Sequence, residues 1–182
     1  EKEYLKTSPL QLAKHRIPWL LVLLISATFT GGIIKKYEHA LQSVTVLAAF
    51  IPMLMDTGGN AGSQSSTLII RGLALGDIKL KDIFRVIVKE LQVSSIVGIT
   101  LSFVNFVRIY FIEKVDILIA VTVSITILVT VVLSKIVGSL LPIIAKKLKL
   151  DPAIMAGPLI TTIVDAVALI VYFGIATWLL GI

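Results

Sequence analysis

Apolar positions run along this chain in five long blocks, at about 17–34, 43–70, 86–107, 116–144 and 153–181, separated by short polar connections. About 20 apolar helical residues cross a hydrocarbon core of roughly 30 Å. The pattern therefore predicts five transmembrane helices in an all-α, polytopic membrane protein, with a polar leader over residues 1–16 and a membrane domain over 17–182. Trp19 stands near the start of the first block, where an interfacial anchor belongs. The leader EKEYLKTSPLQLAKHR is mixed in charge, and no small-residue cleavage site follows the first apolar run. It is therefore not expected to be a cleavable signal peptide.

Two of the blocks are interrupted at membrane depth, the second by Pro52 and the Gly58, Gly59 and Gly62 group and the fifth by a break at Gly157-Pro158. In the second, residues 51–64 read IPMLMDTGGNAGSQ: a proline, three glycines, a carboxylate and two carboxamides within an otherwise apolar segment. Hydrocarbon does not satisfy loose backbone or charge, so such residues normally line a cavity or pathway. Asp56, Asn60 and Gln64 fall at i, i+4 and i+8 and share one helix face. Ser63, Thr67 and Arg71 continue that stripe. Pro52 within a helix would displace the carbonyl of Ala48. Gly58 and Gly62 form a GxxxG pair suited to close helix packing.

The fifth block begins at Asp151-Pro152 and places Gly157, Thr161 and Asp165 on one face by the same spacing. Asp165 is expected roughly 18 Å into the helix at about 1.5 Å per residue, near mid-membrane. Pro158 would free the carbonyl of Ile154. A carboxylate, a hydroxyl and a loosened backbone are all oxygen donors, the ligands that hard cations such as Mg2+ and Ca2+ require. In the third block Glu90, Ser94 and Gly98 share a face, and Glu90 is placed to pair with Arg71 or Lys89 or to take part in a pathway. Lys135 in the fourth block is expected to face the bundle as a partner for a carboxylate, or to snorkel.

Composition sharpens this picture. The chain is 57% hydrophobic, with a mean hydropathy of +0.99, above the roughly 45–50% apolar usage of soluble domains. It has no cysteine, which excludes disulfides, thiolate metal sites and cysteine nucleophiles. His15 and His39 lie outside the apolar blocks, so a histidine zinc site is not expected. The net charge of +6 follows from basic loops rather than from a nucleic-acid surface. The leader carries four basic residues, the 71–89 connection five and the 146–149 connection three, against two each at 35–36 and 108–114. The positive-inside rule then puts the N-terminus in the cytoplasm and the C-terminus outside, with Tyr37, Tyr110 and Trp178 at the outer interface. A lone five-helix bundle would cover the two polar faces poorly, whereas a C2 homodimer would give each its mirror image.

Four pieces of the chain resemble the membrane domain of the MgtE family of magnesium channels and transporters: RIPWLL at 16–21, PMLMDTGGNAGSQSSTLIIRGLALGDI at 52–78, KEL at 89–91 and DPAIMAGPLITTIVDAVALIVYF at 151–173. The resemblance runs through the whole chain in order. It implies a homodimer with five helices per subunit, set in the plasma membrane, with an Mg2+ path along the dimer axis. It also implies that Asp165 recognises the hydrated ion, that Asp151 binds metal near the cytoplasmic mouth, and that Asn60, Gly157 and Thr161 line the pore. Residues 1–16 would be the end of a cytoplasmic connecting helix, without the regulatory domains that family members commonly carry before it. Mn2+, Co2+ and Ca2+ share the oxygen-ligand chemistry of Mg2+ to differing degrees.

Two other readings fit part of the pattern. LMDTGG resembles the Asp-Thr-Gly signature of aspartic proteases, but that motif works on paired strands, and nothing here reads as a sheet. An intramembrane protease pairing Asp56 with Asp165 would want a G-x-G-D motif, which is absent. The chain is not expected to be an enzyme. An ion-coupled carrier for an organic anion would suit facing broken helices, yet the polar faces offer few basic residues to hold an anion.

Overall fold

A computed structural model describes residues 3–155 and 157–182. Glu1 and Lys2 of the expected cytoplasmic leader, and Ala156 within the 151–173 match, lie outside the described residues. The described chain is helical, with no strand among the described residues. Its α-helices are α1 (Pro9–Lys36), α2 (Glu38–Ser43), α3 (Ile51–Leu75), α4 (Ile83–Val107), α5 (Ile117–Lys147) and α6 (Pro158–Leu180). Among the described residues, four stretches are long and apolar enough to cross a membrane: Pro9–Lys36, Leu80–Ile112, Ile117–Lys147 and Pro158–Leu180. The 25 residues of α3 would span about 38 Å at 1.5 Å per residue. Its polar run keeps it from matching those four in hydropathy.

The helix ends follow from local chemistry. Ser8 opens α1 by accepting a hydrogen bond from the Gln11 amide at 3.3 Å, with Pro9 in the first helical position. The helix then runs without a break through the expected boundary at residue 16. Asp116 caps α5 in the same way, accepting from the Leu118 amide at 2.9 Å. Gly76 closes α3 with a φ of +79°, a left-handed conformation that glycine adopts at little cost.

The second block differs from the sequence expectation, and the fifth breaks at Gly157-Pro158 as expected but with Asp165 at a different depth. Residues 43–70 are not one helix: Val44 leaves helical geometry at φ −135° and ψ 83°, a tight turn covers Thr45–Phe50, and α3 begins at Ile51. Pro52 therefore lies in the first turn of α3, where its missing N–H costs nothing, rather than breaking a helix over Ala48. The fifth block is likewise divided. A short turn covers Pro152–Met155, and α6 starts at Pro158 after Gly157, whose φ of +66° and ψ of −118° suit a residue without Cβ. Ile154 belongs to the separate turn, so its carbonyl is not freed by a proline inside a helix. Asp165 is the eighth residue of α6, about 10 Å from the helix start rather than 18 Å.

α5 is the axis of the fold, packing against α3, α4 and α6. Close approach depends on small residues. A Cβ on Gly58 would lie 2.7 Å from Val164 Cγ1 and 2.9 Å from Thr130 Cγ2, and one on Gly62 2.9 Å from Ile160 Cγ2. One on Gly98 would lie 2.9 Å from Leu128 Cδ1, where α4 crosses α5. The expected packing role of Gly58 and Gly62 is thus met, with Gly138 of α5 as the counterpart of Gly62. An apolar core of Leu47, Phe50, Leu54, Val123, Tyr172 and Phe173 closes one end. There the Tyr172 hydroxyl donates to the Leu47 carbonyl at 2.8 Å. α1 stands at the margin against α6, and among its described residues Leu23 alone is buried.

Candidate functional site

α3 divides its residues between two faces. Leu54, Gly58, Ala61, Gly62, Ser65 and Ile69 are buried, whereas Asp56, Asn60, Thr67 and Arg71 are exposed on the isolated chain. Exposed polar groups along a helix packed against apolar membrane-length helices need water or protein beside them.

On one flank α3 meets the start of α6. Gly59 is small enough for Thr161 to lie against it, with a Cβ on the glycine meeting Thr161 Cγ2 at 3.5 Å and Oγ1 at 3.8 Å. Thr161 directs its backbone N–H and its hydroxyl to the Gly157 carbonyl, both at 3.0 Å. One turn further along, Asp165 is half-buried, and its Oδ1 is buried with no hydrogen-bond partner among the described residues. Asn105 Nδ2 and the hydroxyls of Ser124, Thr130 and Ser134 are also buried without a partner among the described residues, but Asp165 is the carboxylate of the set, and its free oxygen can take a cation or a water. Asp56 on α3 is close enough for the two carboxylates to repel each other. Two like charges in a poorly solvating surround are stabilised by a cation between or beside them. Among the described residues no three acidic or histidine side chains converge to form a complete metal cage within one chain.

The other expected site residues lie elsewhere. Asn60 lines a separate cleft of 540 Å³ between α3, α4 and α5, together with Thr57, Gln64, Asn105 and Lys135. Asp151 precedes the Pro152–Met155 turn, and its Oδ1 accepts from the Ala153 amide at 3.0 Å. It makes no ion pair with Lys146, Lys147 or Lys149 among the described residues. The carboxylate thus serves the turn and stays exposed.

Glu90 does not pair with Arg71 or Lys89. Its Oε2 accepts from the Ser65 hydroxyl at 2.7 Å, across the α3–α4 contact. Lys135 is 3% exposed and faces the bundle as expected, but its nearest acceptor is the Gln64 carboxamide, at 2.7 Å. Glu90 attracts it from the far side of Ser65. Sequence reasoning did not find Gly59 as the seat of Thr161, nor Gly138 as the partner of Gly62. The second had a visible signal, a single glycine in the middle of an unbroken apolar helix, where it costs helix stability unless a neighbour needs the space.

Residues 51–175 match the sequence model of the family described as MgtE, divalent cation transporter. The magnesium transporter MgtE of Thermus thermophilus is 38% identical over 177 residues, covering 97% of this chain and 39% of that protein. The magnesium transporter MgtE of Bacillus subtilis is 39% identical over 165 residues, covering 91% of this chain and 36% of that protein. That of Enterococcus faecalis is 32% identical over 184 residues. The chain therefore spans about two fifths of the length of the curated relatives it matches. On the strength of that family match, which begins at the first residue of α3 and runs through α4 and α5 into α6, this chain belongs to the MgtE family of divalent cation transporters.

Proposed function

We propose that this chain carries Mg2+ across the plasma membrane as one half of a C2 homodimer, with five spans per subunit and the ion path at the dimer axis. In this reading α3 is the fifth span, and its exposed polar stripe faces the axis and the partner copy. The N-terminus lies in the cytoplasm and the C-terminus outside. The observation that carries the reading is the orphaned, buried Oδ1 of Asp165, repelled by Asp56 and lacking any partner among the described residues.

Mg2+ surrenders its water reluctantly and is usually held through one or two carboxylates with several waters retained. Asp165 from each of two chains supplies two charges that neutralise a divalent ion where the surroundings solvate it poorly. The Thr161 hydroxyl oxygen, whose proton is committed to the Gly157 carbonyl, has acceptor capacity left for a hydrogen of the ion's water shell. Asn60 and Asp151 would act outside this central point, Asn60 along the α3 face and Asp151 at the inner mouth. The relatives named as magnesium transporters support the choice of ion.

The test is Mg2+ uptake into proteoliposomes by wild type, Asp165→Ala and Asp165→Asn, with assembly measured by native mass in mild detergent. The expected result is a dimer in all three, with uptake lost in Asp165→Ala and Mg2+ preference over monovalent ions reduced in Asp165→Asn. Wild-type flux and selectivity in the alanine variant overturn the assignment, as does an active monomer.

A further inference from the structure

The cleft between α3, α4 and α5 contains a second set of oxygen atoms that converge on a positive charge, and that charge belongs to the protein. Lys135 Nζ, on α5, donates to Gln64 Oε1 at 2.7 Å and reaches Ser65 Oγ at 3.4 Å. Ser65 in turn donates to Glu90 Oε2 at 2.7 Å, so the carboxylate lies in the next shell and supplies the balancing negative charge. A carboxamide oxygen, a hydroxyl oxygen and a carboxylate are the donor types that bind hard cations. They are contributed by two helices, and the ammonium that meets them comes from a third.

We propose that Gln64, Ser65 and Glu90 form a cation site distinct from the one at Asp165, and that Lys135 keeps it permanently filled with a tethered ammonium. The arrangement differs from an ordinary buried ion pair in its geometry. Lysine and glutamate do not form a contact pair, and the ammonium donates its shortest bond to the oxygen of a neutral carboxamide that also lines an open cleft. One carboxylate balances one charge, so the vacated site suits a monovalent cation or a small alkylammonium rather than Mg2+. The 540 Å³ cleft, which both Gln64 and Lys135 line, gives such an ion a route in. A lysine cannot diffuse away, so a polar cleft beside the proposed pore stays closed to mobile cations.

The test removes the ammonium and offers substitutes. Lys135→Ala, made in the Asp165→Ala background so that the proposed pore site contributes nothing, is melted in detergent against K+, Tl+ or methylammonium, with choline at equal ionic strength as control. The expected result is a saturable rise in Tm with each small cation and none with choline. A rise on the order of 5 °C at saturation corresponds to an ion present well above its Kd. The parent Asp165→Ala protein, still holding Lys135, should show no such rise. Lys135→Ala combined with Glu90→Gln should lose the response, because the balancing charge is gone. If Lys135→Ala fails to fold without salt, recovery by K+ or methylammonium but not by choline is the same positive result. The proposal is overturned if no small cation stabilises or recovers Lys135→Ala beyond choline, which is how a merely structural lysine behaves. It is also overturned if the response survives Glu90→Gln.

Discussion

Gly138 of α5 and Gly62 of α3 meet backbone to backbone: a Cβ on Gly138 would overlap the Gly62 carbonyl. The obstacle is main chain, not a side-chain end that can swing aside. Gly138→Ala should therefore destabilise the fold by about 1–3 kcal/mol, the usual cost of overfilling a packed contact. Gly31→Ala, where nothing lies within 4 Å, should be neutral or slightly stabilising. Thermal melts of the two variants in detergent check the contrast, and equal Tm values would argue against the α3–α5 crossing described above.

Asp151 separates two roles that one carboxylate can hold. Its Oδ1 receives the Ala153 amide, and an asparagine oxygen can do the same. Asp151→Asn should leave the melting temperature without divalent ions unchanged. If the residue binds metal at the inner mouth, the same variant should lose part of the Mg2+-dependent rise in Tm. Asp151→Ala should lower the basal value as well, by about 1 kcal/mol for a lost capping bond. Titrating Mg2+ against Tm for both variants distinguishes turn from ligand.

The proposed orientation is open to direct labelling, because the chain has no cysteine of its own. Lys79→Cys lies between α3 and α4, and Tyr110→Cys lies beyond the other end of α4. An impermeant thiol reagent applied to intact cells should modify Tyr110→Cys and reach Lys79→Cys only after permeabilisation. Labelling of both from outside contradicts a five-span arrangement with a cytoplasmic N-terminus.

Tyr172 ties α6 to the turn before α3 by one buried hydrogen bond to the Leu47 carbonyl. Tyr172→Phe keeps the ring's packing and removes that one bond, which should cost about 1 kcal/mol. The loss should appear in the melting temperature and not in the choice of ion, since the hydroxyl lies two turns beyond Asp165. A change in Mg2+ selectivity without a change in Tm would contradict that division.

Most of the helical architecture was legible because long apolar runs have few alternatives. The blocks at 86–107 and 116–144 each correspond to a single helix, with ends within a few residues of those expected. The break at Gly157-Pro158 was legible, whereas the second block was misread: Pro52 lies in the first turn of α3 rather than interrupting a longer helix. A proline inside a helix breaks it, whereas one in the first turn is tolerated. In the second block that choice is made by Val44, through backbone angles that periodicity does not encode. The alignment of Thr161 with Asp165 followed from spacing alone. The Lys135, Gln64, Ser65 and Glu90 cluster did not, because three helices have to pack before those residues become neighbours.

The isolation of α1 has an evolutionary side. A helix that contributes one buried leucine among its described residues can exchange most of its apolar side chains for others without disturbing a neighbour in this chain. Within this chain its service as a membrane anchor rests on hydrophobicity more than on which apolar residue stands at each position. α3, α5 and α6 have no such latitude, since a methyl group added at Gly58, Gly62 or Gly138 already strikes another helix. The family's sequence model begins at residue 51, beyond α1.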